Sequence, residues 1–373
     1  MTSERRDDTI RACRCCFMCR YASPHFRASR LESRTPKGFA ILLDAVDHGA
    51  RAWTPELAAV FYESTLGGEG RAECEFDWPE DELARQARAE IVRAGVAPAV
   101  VRALRDNLVE HGSPADTTLP EARLPEPHVD RTGAELLYLA GNETRALLPE
   151  AVTAAASLLS AVGADWATPS REPATGAHLW DLGYQDDAVG QAKAFAEAVA
   201  KSGAREVVMS STAELRAVRQ WFGRWNVELP EGVTFVHVSE YLAGKLDSLR
   251  FARESEAVGY HDCAWLGRAL HVYDAPRALL AAANDTQPLE LPAARTAAHS
   301  SGAGTSLYLT HGGLAARIAR MLVEEAEEVG ISTLVTANPV DAVHLSRVAD
   351  GMGSRPRVLE LATFVANRLK GDS

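Results

Sequence analysis

The sequence lacks any run of 18 or more apolar residues, so a transmembrane helix is not expected. It also lacks a signal-peptide pattern, because the twin arginine near residue 5 is followed by acidic residues instead of an apolar stretch. A P-loop, a Rossmann glycine pattern and a G-x-S-x-G nucleophile motif are all missing. We therefore expect a cytoplasmic protein that belongs to none of the corresponding enzyme classes.

An excess of positive charge is also missing, because the 373 residues carry a formal net charge of -12. This argues against a nucleic-acid partner or an anionic membrane surface. The first 37 residues differ, with nine Arg and Lys among four Asp and Glu. This segment is interpreted either as a solvated arm, as charge runs usually are, or as a docking patch or positive field around a negatively charged cofactor.

The chain divides into regions that differ in composition. Residues 1–112 hold apolar residues at helical spacing and predict an α-helical domain. Residues 113–133 are rich in Pro, Ser, Thr and Asp and predict a linker. Residues 134–250 and 256–373 each alternate short apolar runs with amphipathic helices, which predicts two copies of one α/β unit with parallel sheets. The predicted fold class is therefore α + α/β.

Cysteines are few but bunched, since five of the six precede residue 75. Bunching at one end of a long cytosolic chain is typical of metal ligands. Cys13, Cys16 and Cys19, followed by Ser23 and a proline, give C-x2-C-x2-C-x3-S-P. The bacterial iron–sulfur motif has the same spacing but ends in C-P, and its fourth cysteine ligates a second cluster.

A second copy of that frame lies downstream, where Ser64, Gly67, Gly70 and Cys74 stand at the same spacing. Under the crossing rule, one cluster takes Cys13, Cys16, Cys19 and Cys74, all of which are present. The other would need cysteines at Ser23, Ser64, Gly67 and Gly70, all of which are absent. The frame thus predicts one 4Fe–4S cluster, and the vacated second site is expected to be filled by side chains such as Phe76 or Trp78. A four-cysteine zinc site and an empty thiol cluster remain alternatives, and Cys15 is a spare thiol or a substitute ligand.

At this point the chain resembles the iron–sulfur subunits of glycolate oxidase, anaerobic glycerol-3-phosphate dehydrogenase and heterodisulfide reductase. Two segments carry the resemblance besides the cysteine frame, "RTPKGFAILL" between the motifs and "YHDCAWLGRALHVYDAPRALL" at residues 260–280. The resemblance implies an α-helical ferredoxin-like domain followed by two "CCG" domains, and it covers nearly the whole chain.

The CCG cysteines themselves are substituted in this chain. Ser300 and Ser301 replace the C-C pair, and Asn338 and Asp341 replace the cysteines of C-P-x-C. The further substituted positions are Asn142, the segment 210–215 and Ala264, with Cys263 taking a proline position. A thiolate-bound cluster is therefore not expected in either α/β half, and heterodisulfide reduction there is not expected either.

The resemblance implies an electron-transfer subunit that takes electrons from an FAD-dependent oxidase or dehydrogenase partner and passes them to a quinone or another carrier. The alternative is a scaffold or redox-sensing interaction protein with a structural cluster. A third hypothesis makes the α/β cleft a catalyst, with Ser300 and His261 as nucleophile and base. His261 and Asp262 are otherwise interpreted as structural residues.

Overall fold

The computed structural model describes residues 3–114 and 128–370 of the chain. Residues 115–127, which form most of the predicted linker, lie outside the described residues. The end of that linker is paired with the rest of the protein, because Val129 bridges to Thr168 and the His128 ring stacks on Trp166 at 3.9 Å.

Residues 3–114 contain helices but no strands in the part that is described, as the periodicity predicts. The eight α-helices of this part are α1 Ser3–Arg11, α2 Met18–Ala22, α3 Pro24–Ser29, α4 Pro36–Asp47, α5 Pro55–Tyr62, α6 Glu69–Ala72, α7 Glu80–Arg93 and α8 Ala99–His111.

Three of these helices begin in the same way, with a hydroxyl residue followed by proline. The hydroxyls of Ser23, Thr35 and Thr54 accept the backbone N–H of the third residue beyond them, at 3.2, 3.0 and 3.3 Å. Proline fits the first helical position because it has no N–H to leave unpaired there. Caps of this kind stabilise a helix by about 1 kcal/mol, so the Ser/Thr-Pro pairs fix where α3, α4 and α5 begin.

The first α/β half has a parallel sheet with strand order β2-β1-β3-β4. Its strands are β1 Leu136–Leu139, β2 Trp166–Ala167, β3 Glu206–Met209 and β4 Thr234–His237. Its α-helices are α9 Asn142–Leu147, α10 Pro149–Ala161, α11 Ala177–Leu182, α12 Gln185–Ser202, α13 Thr212–Arg216 and α14 Val238–Ala243.

The second half repeats the topology with the order β6-β5-β7-β8, again parallel. Its strands are β5 Val258–His261, β6 Leu289–Glu290, β7 Thr333–Thr336 and β8 Arg357–Glu360. Its α-helices are α15 Asp274–Ala283, α16 Leu307–Thr310, α17 Gly312–Val329, α18 Pro339–Met352 and α19 Leu361–Ala366. The predicted fold class, helical and then α/β with parallel sheets, is confirmed.

One apolar core runs through both α/β halves, joining buried residues from Leu136 to Val365. A second core lies under the N-terminal helices and includes Leu179 and Leu182 of α11. Arg6 pairs with Asp47 at 3.0 Å, and Arg27 of α3 pairs with Glu325 of α17 at 2.8 Å. Part of the charge of the basic N-terminal segment is therefore neutralised within the fold, while residues 11–18 are mostly exposed.

Candidate cluster site and the substituted cleft

The cysteine-rich stretch forms the connection between α1 and α2. Cys13 and Cys16 lie in this loop, Cys19 lies in the first turn of α2, and Cys74 follows α6. The loop reverses at Cys15, whose backbone has a left-handed φ of 51°. The Cys15 side chain is exposed and is hydrogen-bonded to that of Cys13.

A cavity of about 220 Å³ brings the four predicted ligands together. Cys13, Cys16, Cys19 and Cys74 all line it, and Cys15 does not. The rest of the lining is formed by Arg14, Met18, Pro36, Lys37, Gly70, Glu75, Phe76 and Trp78. The crossed frame is therefore compatible with the fold, since Cys74 returns to the loop that carries the other three.

Burial governs the titration of the thiols at this cavity. It raises the pKa of Cys13, and it raises the pKa of Cys19 to about 11. Against that effect, the backbone N–H of Lys37 donates to the Cys19 sulfur and lowers its pKa. Without a bound cation these two thiols stay protonated at neutral pH, and a metal centre would supply the positive charge that favours their thiolates.

The four positions where cysteines would bind the second cluster carry serines and glycines, which offer no thiolate. The hydroxyl of Ser23 caps α3 and donates to the carbonyl of Arg34 at 3.0 Å. The hydroxyl of Ser64 accepts the backbone N–H of Leu66 at 3.1 Å. Both serines thus hold the backbone in place.

Two carboxylates lie where the other two cysteine side chains would point. A Cβ atom added at Gly67 would lie 2.5 Å from an oxygen of Glu69, and one added at Gly70 would lie 2.3 Å from Oε2 of Glu80. Arg268 pairs with Glu69 at 3.0 Å. These positions are therefore filled by Glu69 and Glu80, and the expectation that Phe76 or Trp78 fills them is wrong, because both aromatics line the cysteine cavity instead.

The substituted CCG positions of the second half also converge, as the resemblance implies. Ser300, Ser301, Asn338, Asp341 and Ala264 all line one cavity of about 20 Å³. The Ser301 hydroxyl donates to Asp341 at 2.6 Å. A volume of this size holds about one water molecule, so the cleft leaves no room for a metal cluster.

Cys263 is the single thiol that lines this small cavity. It is 1% exposed and contacts the hydroxyl of Thr212 at 3.6 Å, and burial raises its pKa to about 12. Reactive cysteines are low-pKa and accessible, so this one has the character of a structural residue.

His261 and Asp262 are both committed to structural contacts. His261 donates from Nε2 to the carbonyl of His299 at 2.9 Å, and its Nδ1 contacts Thr336 Oγ1 at 3.4 Å. Asp262 receives both terminal nitrogens of Arg277, at 2.8 and 2.7 Å. No hydrogen bond joins His261 to Ser300 among the described contacts, so the geometry does not support a nucleophile–base pair here.

The matching end of the first half is filled by acidic residues. Glu172 accepts the backbone N–H of Gly141 at 2.7 Å, and a Cβ added at Gly141 would lie 2.7 Å from that of Ser211. Glu214 is buried, and burial followed by the nearby Glu172 raises its pKa well above the usual value. Nothing in this arrangement offers a thiolate to a metal.

Curated proteins and a solved structure show partial similarity to this chain. No family model matches it. Part of it is similar to one of the subunits of the dihydromethanophenazine:CoB–CoM heterodisulfide reductase of Methanosarcina barkeri (27% identity over 177 residues) and to its counterpart in Methanosarcina mazei (29% over 177 residues). Each match covers 46% of this chain and 43% of the relative, so the chain matches less than half the length of these curated relatives.

A solved structure shares the fold. The chain superimposes on a hypothetical protein from Helicobacter pylori with a TM-score of 0.58 and 9% identity, covering 91% of this chain and 68% of that one. This likeness concerns the fold alone. Within the described residues, no helix is both long and apolar enough to cross a bilayer.

Proposed function

We propose that this chain is an iron–sulfur electron-transfer subunit that carries one 4Fe–4S cluster on Cys13, Cys16, Cys19 and Cys74. The observation that carries the proposal is the single cavity lined by all four cysteines of the crossed frame. The similarity to a component of a multi-subunit reductase supports it.

Cys13, Cys16 and Cys19 stand at the C-x2-C-x2-C spacing of iron–sulfur motifs, and Cys74 lines the same cavity. This spacing along the chain favours a cluster over a zinc ion.

When bound, the cluster would supply a one-electron redox centre. The chain's own residues would hold and shield it: four cysteines bind, Pro36 and Trp78 exclude water, and the N–H of Lys37 donates to the Cys19 sulfur. Hydrogen bonds to cluster sulfurs and nearby cations raise a reduction potential.

By resemblance, the electron donor is an FAD-dependent dehydrogenase or oxidase, and the acceptor is a quinone or another carrier. The disulfide reduction named for the relatives is not carried over to this chain. The positions that would need cysteines for it hold Ser300, Ser301, Asn338 and Asp341, and they line a cavity of about 20 Å³.

A matched pair of cysteine variants tests the ligand set. Cys74→Ala removes the one ligand from the second motif, so we expect anaerobically purified protein to lose its iron and its reduced EPR signal. Cys15→Ala, at an exposed thiol outside the cavity, should retain about four irons per chain. Iron retained by Cys74→Ala and lost by Cys15→Ala would assign the fourth ligand to Cys15 and contradict the crossed set.

A further inference from the structure

A second, larger cavity lies where the helical domain meets both α/β halves. It measures about 530 Å³, within the range of about 300–1,000 Å³ that is typical of ligand pockets. The helical domain contributes side chains of α6 and α7, and the two halves contribute side chains from 216–224 and from 268–271. We call it the arginine cleft, because five arginines line it: Arg71, Arg85, Arg216, Arg224 and Arg268.

Two of these arginines already have carboxylates of their own. Asp77 accepts from Nε and Nη2 of Arg71, both at 2.7 Å. Arg268 pairs with Glu69 at 3.0 Å and donates from Nε to the carbonyl of Gly67 at 2.9 Å. These two arginines therefore have little left to offer a ligand.

Two buried arginines in the wall of the arginine cleft share one carboxylate. Arg85 donates from Nη1 to Oδ2 of Asp81 at 2.8 Å, and Arg216 donates from Nη2 to the same oxygen at 3.2 Å. Asp181 is a second carboxylate for Arg85, at 2.6 Å. Arg216 has no second carboxylate among the described contacts, since its Nε donates to the amide oxygen of Gln220 at 3.2 Å.

Each of these two guanidinium groups has a nitrogen to spare. Nη2 of Arg85 is buried without a hydrogen-bond partner in the described part of the chain, and no described hydrogen bond uses Nη1 of Arg216. Arg216 is only 7% exposed, and burial, followed by the charge of Arg85, lowers its pKa to about 10. A buried cation with unused donors is stabilised when an anion binds beside it.

The carboxylates nearby do not balance the buried guanidinium groups. A third buried arginine, Arg88, is close enough for the charge of Arg85 to lower its pKa, and its described hydrogen bonds all go to backbone carbonyls. The acidic side chains that act on these three arginines are Asp81 and Asp181. Three buried cations thus face two carboxylates.

Trp221 fixes the position of the two cleft arginines. Its ring lies 5.0 Å from the guanidinium of Arg85 and 4.9 Å from that of Arg216. Ala72 and Ala269 add small apolar side chains to the lining. A guanidinium held in this way matches the geometry of a carboxylate or phosphate group, and the remaining volume leaves room for an organic body.

We propose that the arginine cleft binds the carboxylate or phosphate group of a small organic molecule, with Arg85 and Arg216 as the donors. The inference does not need the cluster, and it goes beyond electron transfer by giving the chain a small-molecule ligand. The two sites are nonetheless neighbours: Gly70 of α6 lines the cysteine cavity, and Arg71, the next residue, lines the arginine cleft.

Isothermal titration calorimetry on the full chain, purified anaerobically, tests the site with inorganic phosphate and with citrate at constant ionic strength. We expect one ion per chain with a dissociation constant below about 1 mM for at least one of the two. Tighter binding of phosphate would indicate a phosphate ester as the ligand, and tighter binding of citrate would indicate a carboxylic acid.

A charge-matched pair of variants locates the bound ion. Arg216→Gln should weaken binding at least about tenfold, because a charge-assisted hydrogen bond is lost. Lys193→Gln removes the same charge at an exposed position of α12 and should bind like the wild type. Circular dichroism confirms that each variant is folded.

A second pair leaves the buried arginines untouched. His271 lines the arginine cleft, is exposed and has a φ of 59°, a conformation that Asn and Asp both tolerate. His271→Asp should bind roughly fivefold more weakly than His271→Asn, because the added carboxylate repels the anion. This pair decides the question if Arg216→Gln does not fold.

Two results would overturn the proposal. One is binding of equal strength in the wild type, Arg216→Gln and His271→Asp, since the ion would then bind elsewhere. The other is the absence of binding by both ions up to about 10 mM, a concentration at which even a weak site would be occupied.

Discussion

At the scale of single residues, Glu80 shows how the vacated cluster site is occupied. Its Oε1 accepts the backbone N–H of Gly70 at 2.9 Å, while its Oε2 is buried without a hydrogen-bond partner. Burial, followed by the charges of Glu69 and Asp81, raises the pKa of the Glu80 carboxyl to about 8. A carboxylic acid that is neutral at pH 7 thus lies where a thiolate ligand would have pointed.

The raised pKa of Glu80 predicts a pH-dependent stability. An unfolded glutamate has a pKa of about 4.3, so between there and pH 8 the folded state holds a proton that the unfolded state has released. The free energy of unfolding should therefore decrease as pH rises through that window, by at most about 1.4 kcal/mol per pH unit from this group. Glu80→Gln, which resembles the protonated form, should make the protein more stable at pH 8 and reduce the slope.

Urea unfolding from pH 5.5 to 8 measures this slope. Glu110→Gln, at an exposed side chain, is the matched control and should keep the wild-type slope. An unchanged slope in Glu80→Gln would show that the carboxyl is ionised in the folded protein.

At the scale of elements, the capped starts of α3 and α4 fix the segment between the two cysteine motifs. Thr35 is fully buried and both accepts from Gly38 N at 3.0 Å and donates to the carbonyl of Glu32 at 2.7 Å. A Cβ added at Gly38 would lie 2.2 Å from that same carbonyl oxygen, so the turn before α4 is tightly packed. This turn leads directly to Pro36 and Lys37 in the wall of the cysteine cavity.

Removing this cap should destabilise the protein more than removing an exposed one. We expect Thr35→Ala to cost about 1–2 kcal/mol, because it loses a helix cap and a buried hydrogen bond together. Thr54→Ala, at the exposed start of α5, should cost less, since water can replace the hydroxyl. Chemical denaturation of both variants makes the comparison, and equal losses would contradict the special role of the α4 turn.

At the scale of the whole molecule, the sequence predicts the two α/β halves and the pair of cysteine motifs. It does not predict which side chains fill the site of the second cluster. The long periodic helices and the four-residue strands follow from apolar spacing, as in "ELLYLAG" for β1. The edge strands β2 and β6 have two residues each, too few for any pattern, and were not predicted. Glu69, Glu80 and Arg268 are ordinary charged residues in sequence, and only the fold shows that they meet.

The most direct test of the central claim is a coulometric redox titration of the anaerobically purified chain, followed by EPR. One cluster without a second thiolate centre predicts one electron taken up per chain, with one reduced 4Fe–4S signal and about four irons. Two electrons per chain would reveal a second redox centre. A chain that takes up no electrons, or that contains zinc in place of iron, would contradict an electron-transfer role.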